Sequence, residues 1–240
     1  MAAPDGPGQT VDSRSATPSV TAAEPRPAPA PAPSPALTAA RLLAGFAALL
    51  LVGWGAGELW LSLIGSSELD LMREVVAART SAWTALARIV TWAGSAFVLV
   101  PLALAIAVPL YRAGHRREAL VVVICLGGAM LLSDLVKLLV SRPRPPVSHL
   151  QPVTGSSWPS GHATQAGAFW FSLVAILPAL QRSARACRGA AAVAALVVLA
   201  VAASRVYLGV HYPSDVVAGA LLGVGWTAVV WSCLERGRAH

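Results

Sequence analysis

"PSGHATQAGAFWFSLVAILPAL", residues 159–180, is the stretch that decides the fold. Most of it is apolar, and its length suits a membrane-crossing helix, which needs about 20 such residues. Its front end is different. Pro159, Ser160, Gly161 and His162 are small or polar, which is unusual where a chain enters lipid. Ser and Gly before an apolar run can be an ordinary helix start. The same triplet can also be a site that opens at the membrane surface.

Working outward, five more apolar runs cover 40–64, 92–111, 120–140, 189–204 and 216–234. The run at 189–204 is short and is expected to continue through Arg205 towards Leu208. The 240-residue chain is 56% hydrophobic and 12% charged. Soluble domains carry about 25% charged residues. The pattern therefore predicts an all-α bundle of six transmembrane helices and argues against a soluble enzyme. The net charge of +7 would suggest nucleic acid in a soluble protein. Here the arginines gather in short loops between apolar runs, so they report topology instead, and no nucleic-acid partner is expected.

Residues 1–37 have another character. "PRPAPAPAPSPA" is Pro/Ala low complexity, preceded by Ser, Thr, Gly and Pro. Such a segment buries too little apolar surface to offset its ordering entropy, so a disordered tail is expected. Asp5, Asp12 and Glu24 interrupt it, which argues against a signal peptide. The membrane domain is then expected over 38–240. Between the first two runs, Met72, Val76, Trp83, Leu86 and Val90 fall near one helical face. Asp70, Arg73, Thr84 and Arg88 fall near another. This predicts one amphipathic helix over about 68–90, lying in the interface.

Arg112, Arg116 and Arg117 lie in one loop, Arg182, Arg185 and Arg188 in another, and Arg236 and Arg238 near the C-terminus. If the runs alternate, these share a side, and the positive-inside rule makes it cytoplasmic. Both termini are then cytoplasmic in a multi-pass membrane protein. The loop over 65–91 holds Arg73, Arg79 and Arg88 on the opposite side and partly opposes that reading. Cys125, Cys187 and Cys233 have no regular spacing, so neither a disulfide framework nor a zinc site is expected.

The outer ends of three runs concentrate ionisable residues. "SDLVKLLVSRPRPP" carries Asp134, Lys137, Arg142 and Arg144. The fourth run opens with Ser160, Gly161 and His162. "SRVYLGVHYPSD" carries Arg205, His211 and Asp215. Ionisable groups near a membrane core are costly and are functional candidates by default. Lys137 (the only lysine), Arg144 and Arg205 outnumber Asp215, which suits a dianion such as a phosphate monoester. Arginine forks match phosphate oxygens. Backbone N–H groups at a helix start near Ser160 bind anions, and Gly161 admits close approach. Asp215 follows His211 by four residues, and Pro213 suits the first helical turn between them. The carboxylate would orient the ring and free its far nitrogen to attack phosphorus. His162, from another helix, would protonate the leaving oxygen. No Cys or acidic cluster suggests a metal, and no cofactor is expected.

At this point the three stretches resemble a known family. "KLLVSRPRP" (137–145), "PSGH" (159–162) and "SRVYLGVHYPSD" (204–215) are similar to the three signatures of the type 2 phosphatidic acid phosphatase (PAP2) superfamily. They stand intact, in order, and on one predicted membrane face. The resemblance implies an all-helical fold shared with vanadium haloperoxidases. It also implies a catalytic set of His211 as nucleophile, Asp215 as its orienting partner and His162 as general acid. The implied phosphate pocket is Lys137, Arg144, Ser160, Gly161 and Arg205. Arg142 lies outside the signature and reads as a rim or interfacial charge. Asp134 reads as a structural mate of Lys137, Glu58 as an outer-interface residue, and Trp158 as a flank of the pocket mouth. The implied activity is hydrolysis of a lipid phosphate or pyrophosphate at the outer leaflet. Undecaprenyl pyrophosphate is favoured by analogy, because the Arg-, Ala- and Pro-rich composition suggests a bacterium that recycles carrier lipid. Phosphatidic acid and phosphatidylglycerol phosphate are the alternatives. A non-hydrolytic lipid-phosphate binder or transporter is the reading of another class.

Overall fold

The computed structural model describes residues 34–63 and 67–235, and every regular element in them is helical. The expected tail lies outside the described residues, except that residues 35–37 already belong to the first helix. The helices are α1 (Pro35–Leu63), α2 (Ser67–Ala77), α3 (Ser81–Val90), α4 (Ala96–Arg112), α5 (Arg116–Leu139), α6 (Gly161–Ile176), α7 (Ala184–Tyr207) and α8 (Pro213–Glu235).

Among the described residues, five segments are individually long and apolar enough to cross a membrane: α1, α5, α6 with its continuation to Leu180, α7 and α8. A bent pair brings the candidates to six if it counts as one span. α3, a short 3-10 turn at Thr91–Gly94, and α4 together qualify, with a 45° bend between them. α7 reaches Tyr207, as expected from the short fifth run, and the six apolar runs correspond to five straight candidate spans and one bent pair.

The single interfacial helix expected over 68–90 is instead two helices, α2 and α3. The break has a local cause. Thr80 adopts an extended conformation, and its side chain accepts a hydrogen bond from Trp83 N, which is an N-cap. Arg79, beside it, donates to the carbonyls of Tyr207 and Ser148, so the break is fastened to the end of α7.

Two seams of small residues place the elements that matter. A Cβ on Gly167 would lie 2.9 Å from the Ala220 carbonyl, and one on Gly219 would press on the Ser160 carbonyl. Gly223 likewise faces the Thr164 and Ala168 backbone. Only glycine lets α6 and α8 approach this closely, as membrane helices do through small residues. The second seam holds α1. Gly53 and Gly57 are its buried residues, packed against Val136, Leu222, Val140 and Trp158. Between the seams, Leu99, Val122, Leu132, Phe169, Trp226 and Val230 fill the core.

Candidate active site

The C-terminal ends of α5 and α7 meet the N-terminal ends of α6 and α8 at one end of the bundle. Lys137 comes from the last turn of α5, Arg205 from the last turn of α7, and Asp215 from the first turn of α8. Ser160 is the N-cap residue of α6, and Gly161 and His162 open the helix. Arg144 and His211 lie on the connecting segments. Lys137, Arg144, His162, Arg205 and His211 are close enough to act on one another's charge. The structure therefore brings together the eight residues singled out from the sequence.

The N-terminus of α8 shows how the local fold builds the site. Pro213 is its first residue. Asp215 reaches back so that Oδ2 accepts from Tyr212 N at 2.8 Å, which satisfies one of the orphan donors of a helix start. Ser160 N donates to the Asp215 carbonyl at 2.9 Å, tying α6 directly to α8. His211 Nδ1 lies 2.8 Å from the Ser157 carbonyl and 3.5 Å from Asp215 Oδ2. Both neighbours are acceptors, so the proton belongs on Nδ1 and Nε2 keeps its lone pair. Among the described residues, none hydrogen-bonds to Nε2. Burial lowers the His211 pKa to about 4, against the opposing pull of Asp215, so the ring is neutral at ordinary pH.

Two donors here lack protein partners among the described residues. Ser160 Oγ and Arg205 Nε are buried and unpaired. Unpaired buried polar atoms are expensive, and an anion between them would satisfy both. A Cβ on Gly161 would lie 2.9 Å from Lys137 Nζ, so the glycine leaves the ammonium room beside the helix start. The other end of Arg205 is held by Thr91 Oγ1 at 3.0 Å and Gln151 Oε1 at 2.6 Å. Arg144 is more committed than its motif suggests. Its guanidinium donates to the carbonyls of Val210, Thr154, Gly155 and, at longer range, Ser156. With five N–H groups in all, it keeps about one for a ligand. Lys137 pairs with Asp134 at 3.7 Å, and Asp134 is exposed, as its reading as a structural mate requires.

Arg142 is not a rim charge. It is 3% exposed. Nη1 donates to Asp215 Oδ1 at 2.6 Å and to Ser214 Oγ at 2.7 Å, while Nη2 donates to Glu68 Oε2 at 2.7 Å. Its guanidinium carbon sits 4.1 Å from the Tyr212 ring centroid, a cation–π stack. The motif-outlier position is explained by this: the side chain turns inward behind Asp215. Glu68, which sequence reasoning passed over, completes the cluster. It accepts from Ser214 N, Ser214 Oγ and Trp60 Nε1 as well. Burial alone would raise its pKa, yet the hydrogen bonds from Arg142, Trp60 and Ser214 outweigh burial and hold the carboxyl below its usual range. Trp158 is also buried, with Nε1 donating to the Gly53 carbonyl, so it braces the loop against α1. Glu58 is exposed on α1.

The model of the PAP2 superfamily matches residues 118–239, which include every one of the eight site residues. The chain belongs to the PAP2 superfamily. Among relatives, lipid A 1-phosphatase of Rhizobium etli is 34% identical over 116 residues, 42% of this chain and 45% of that one. Phosphatidylglycerophosphatase B of Bacillus subtilis is 30% identical over 139 residues, 56% of this chain and 67% of that one. This PAP2 chain thus spans less than half the length of the first relative and two thirds of the second. A crystal structure of a transmembrane PAP2-type phosphatidylglycerolphosphate phosphatase from Bacillus subtilis superimposes with a TM-score of 0.68 at 25% identity. That match covers 77% of this chain and 93% of the other. The PAP2 transmembrane fold and the multi-pass membrane character expected from the sequence both hold.

Proposed function

We propose that the chain is a metal-independent lipid phosphatase acting at the outward membrane face. The observation that carries this reading is the pairing of a free His211 Nε2 with unpaired cationic and hydroxyl donors beside it. In this reading, Nε2 attacks the phosphorus of a lipid phosphate. The bond from phosphorus to the leaving oxygen breaks, and His162 gives that oxygen its proton. Lys137, Arg205, Ser160 Oγ and the remaining Arg144 N–H stabilise the equatorial oxygens. Water then attacks the phosphohistidine, gives its proton to His162, and inorganic phosphate leaves.

The substrate class follows from the site's place at the end of membrane helices, where headgroups lie. Undecaprenyl pyrophosphate is favoured by the carrier-lipid analogy, in which case the leaving group is the lipid monophosphate. Phosphatidylglycerol phosphate and a lipid A phosphate are the substrates suggested by the relatives' names, and phosphatidic acid completes the panel. A binder or transporter has no need of a ring held in one tautomer, so hydrolysis is the better-supported class.

The test is phosphate release by the purified protein from these four lipids with EDTA present. The wild type is expected to release phosphate from at least one. His211→Ala is expected to lose roughly 10³-fold or more in kcat, as removal of a nucleophile does. Unimpaired turnover by His211→Ala would overturn the assignment.

A further inference from the structure

We propose that Glu68 is a positioning residue for the His211 nucleophile, acting through Arg142 and the Asp215 carboxylate. This deepens the lipid-phosphatase reading and rests on it. The chain of contacts is continuous. Asp215 Oδ2 faces His211 Nδ1, and Asp215 Oδ1 takes a 2.6 Å bond from Arg142. Arg142 therefore sets the plane of the carboxylate that the ring sees. Arg142 is in turn held by Glu68 Oε2 at 2.7 Å. Glu68 Oε1 accepts from Ser214 N at 2.8 Å, so the same carboxylate also caps the first turn of α8. All three side chains are buried.

Charge gives Glu68 a role that packing alone would not. His211 faces Asp215 from α8, Arg205 from α7, Arg144 from the connecting segment and His162 from α6, with Lys137 of α5 behind His162. Arg142 adds a further positive charge beside Asp215. Uncancelled, it would draw the carboxylate to itself and weaken the hold on the Nδ1 proton. Glu68 cancels it. Glu68 also stands on α2, an element far from the three signature stretches and outside the family match at 118–239. The reaction centre is thus completed by a helix that the signatures do not mention.

The experiment uses the full chain in detergent, as wild type, Glu68→Gln, Arg142→Gln and the double variant. Two quantities are read: kcat and KM on a lipid phosphate, and the His211 midpoint and tautomer by ¹⁵N NMR of the histidine rings, assigned with His211→Gln. Glu68→Gln is expected to lower kcat by about tenfold or more, with KM within about twofold, as loss of a ring-orienting outer partner does. Its His211 midpoint should fall by roughly half a pH unit, because an unbalanced cation disfavours imidazolium. Arg142→Gln should raise the midpoint, and the double variant should lie between the singles. Midpoints that do not move in the folded variants would overturn the proposal, even if less protein folds. Should Glu68→Gln not fold, Arg142→Gln alone decides by the same midpoint. A wild type that releases no phosphate would count against the phosphatase reading only, since the midpoint is read without substrate.

Discussion

At the residue scale, His211 shows how the end of a helix bundle holds a histidine neutral, with the ring nitrogen that the proposed mechanism needs left free. Its pKa is lowered to about 4 by burial, against the upward pull of Asp215. The unfolded value is near 6.5. Between these values the unfolded chain binds more protons than the folded one, so stability falls as pH drops from about 6.5 to 4. Thermal melts in detergent should show that decline, and His211→Gln, which lacks that ring, should lessen it. A decline of equal size in His211→Gln would refute the assigned shift. The gathering of the eight candidate residues was legible because each signature is local, with spacings set by one helix end. Glu68 and Arg142 were not legible. Their partners lie far off in sequence: Glu68 to Ser214 spans 146 residues and Arg142 to Asp215 spans 73. The one available signal was the first arginine of "RPRP", Arg142, which had no nearby carboxylate to answer it.

At the scale of elements, the α6–α8 seam sets the distance between His162 and His211. Gly223 is its tightest point, where a Cβ would meet backbone atoms of Thr164 and Ala168 rather than a side chain that could swing away. Gly223→Val should therefore force the helices apart. Overpacking of this kind costs about 1–3 kcal/mol. A lower melting temperature together with a loss of turnover is expected, while Gly127→Ala, where a Cβ meets nothing within 4 Å, should leave both near wild type. Equal behaviour of the two variants would contradict the seam. The spans themselves were legible from length and hydropathy. The break between α2 and α3 was missed because one apolar stripe was traced across it, although Thr80 before Ser-Ala-Trp is a recognisable cap. The stripe also mixes environments: Met72 is fully buried, while Trp83 and Leu86 are exposed.

For the whole molecule, the six spans place the site at the end of the bundle opposite the arginine-rich loops. Cys187 can report on the expected orientation. It lies on the first turns of α7, among Arg182, Arg185 and Arg188, and is partly exposed, whereas Cys125 and Cys233 are buried. A membrane-impermeant maleimide should label Cys187 in broken cells but not in intact ones. Labelling in intact cells would place the arginine loop outside and reverse the topology. The pattern of apolar runs was legible from the sequence, but the bend in its second member was not. Hydropathy measures how apolar a run is, not whether its axis turns by 45° at Ser95.

The glycine seam has one more consequence, for the lipid around the protein. Bilayers of different thickness tilt and strain the helices they hold. Backbone in contact with backbone along α6 and α8 has no side-chain cushion to compress or stretch. His162 on α6 and His211 just before α8 are therefore carried by a stiff pair of helices, while α1, the least buried of the five straight candidate spans, is left to absorb the membrane's changes.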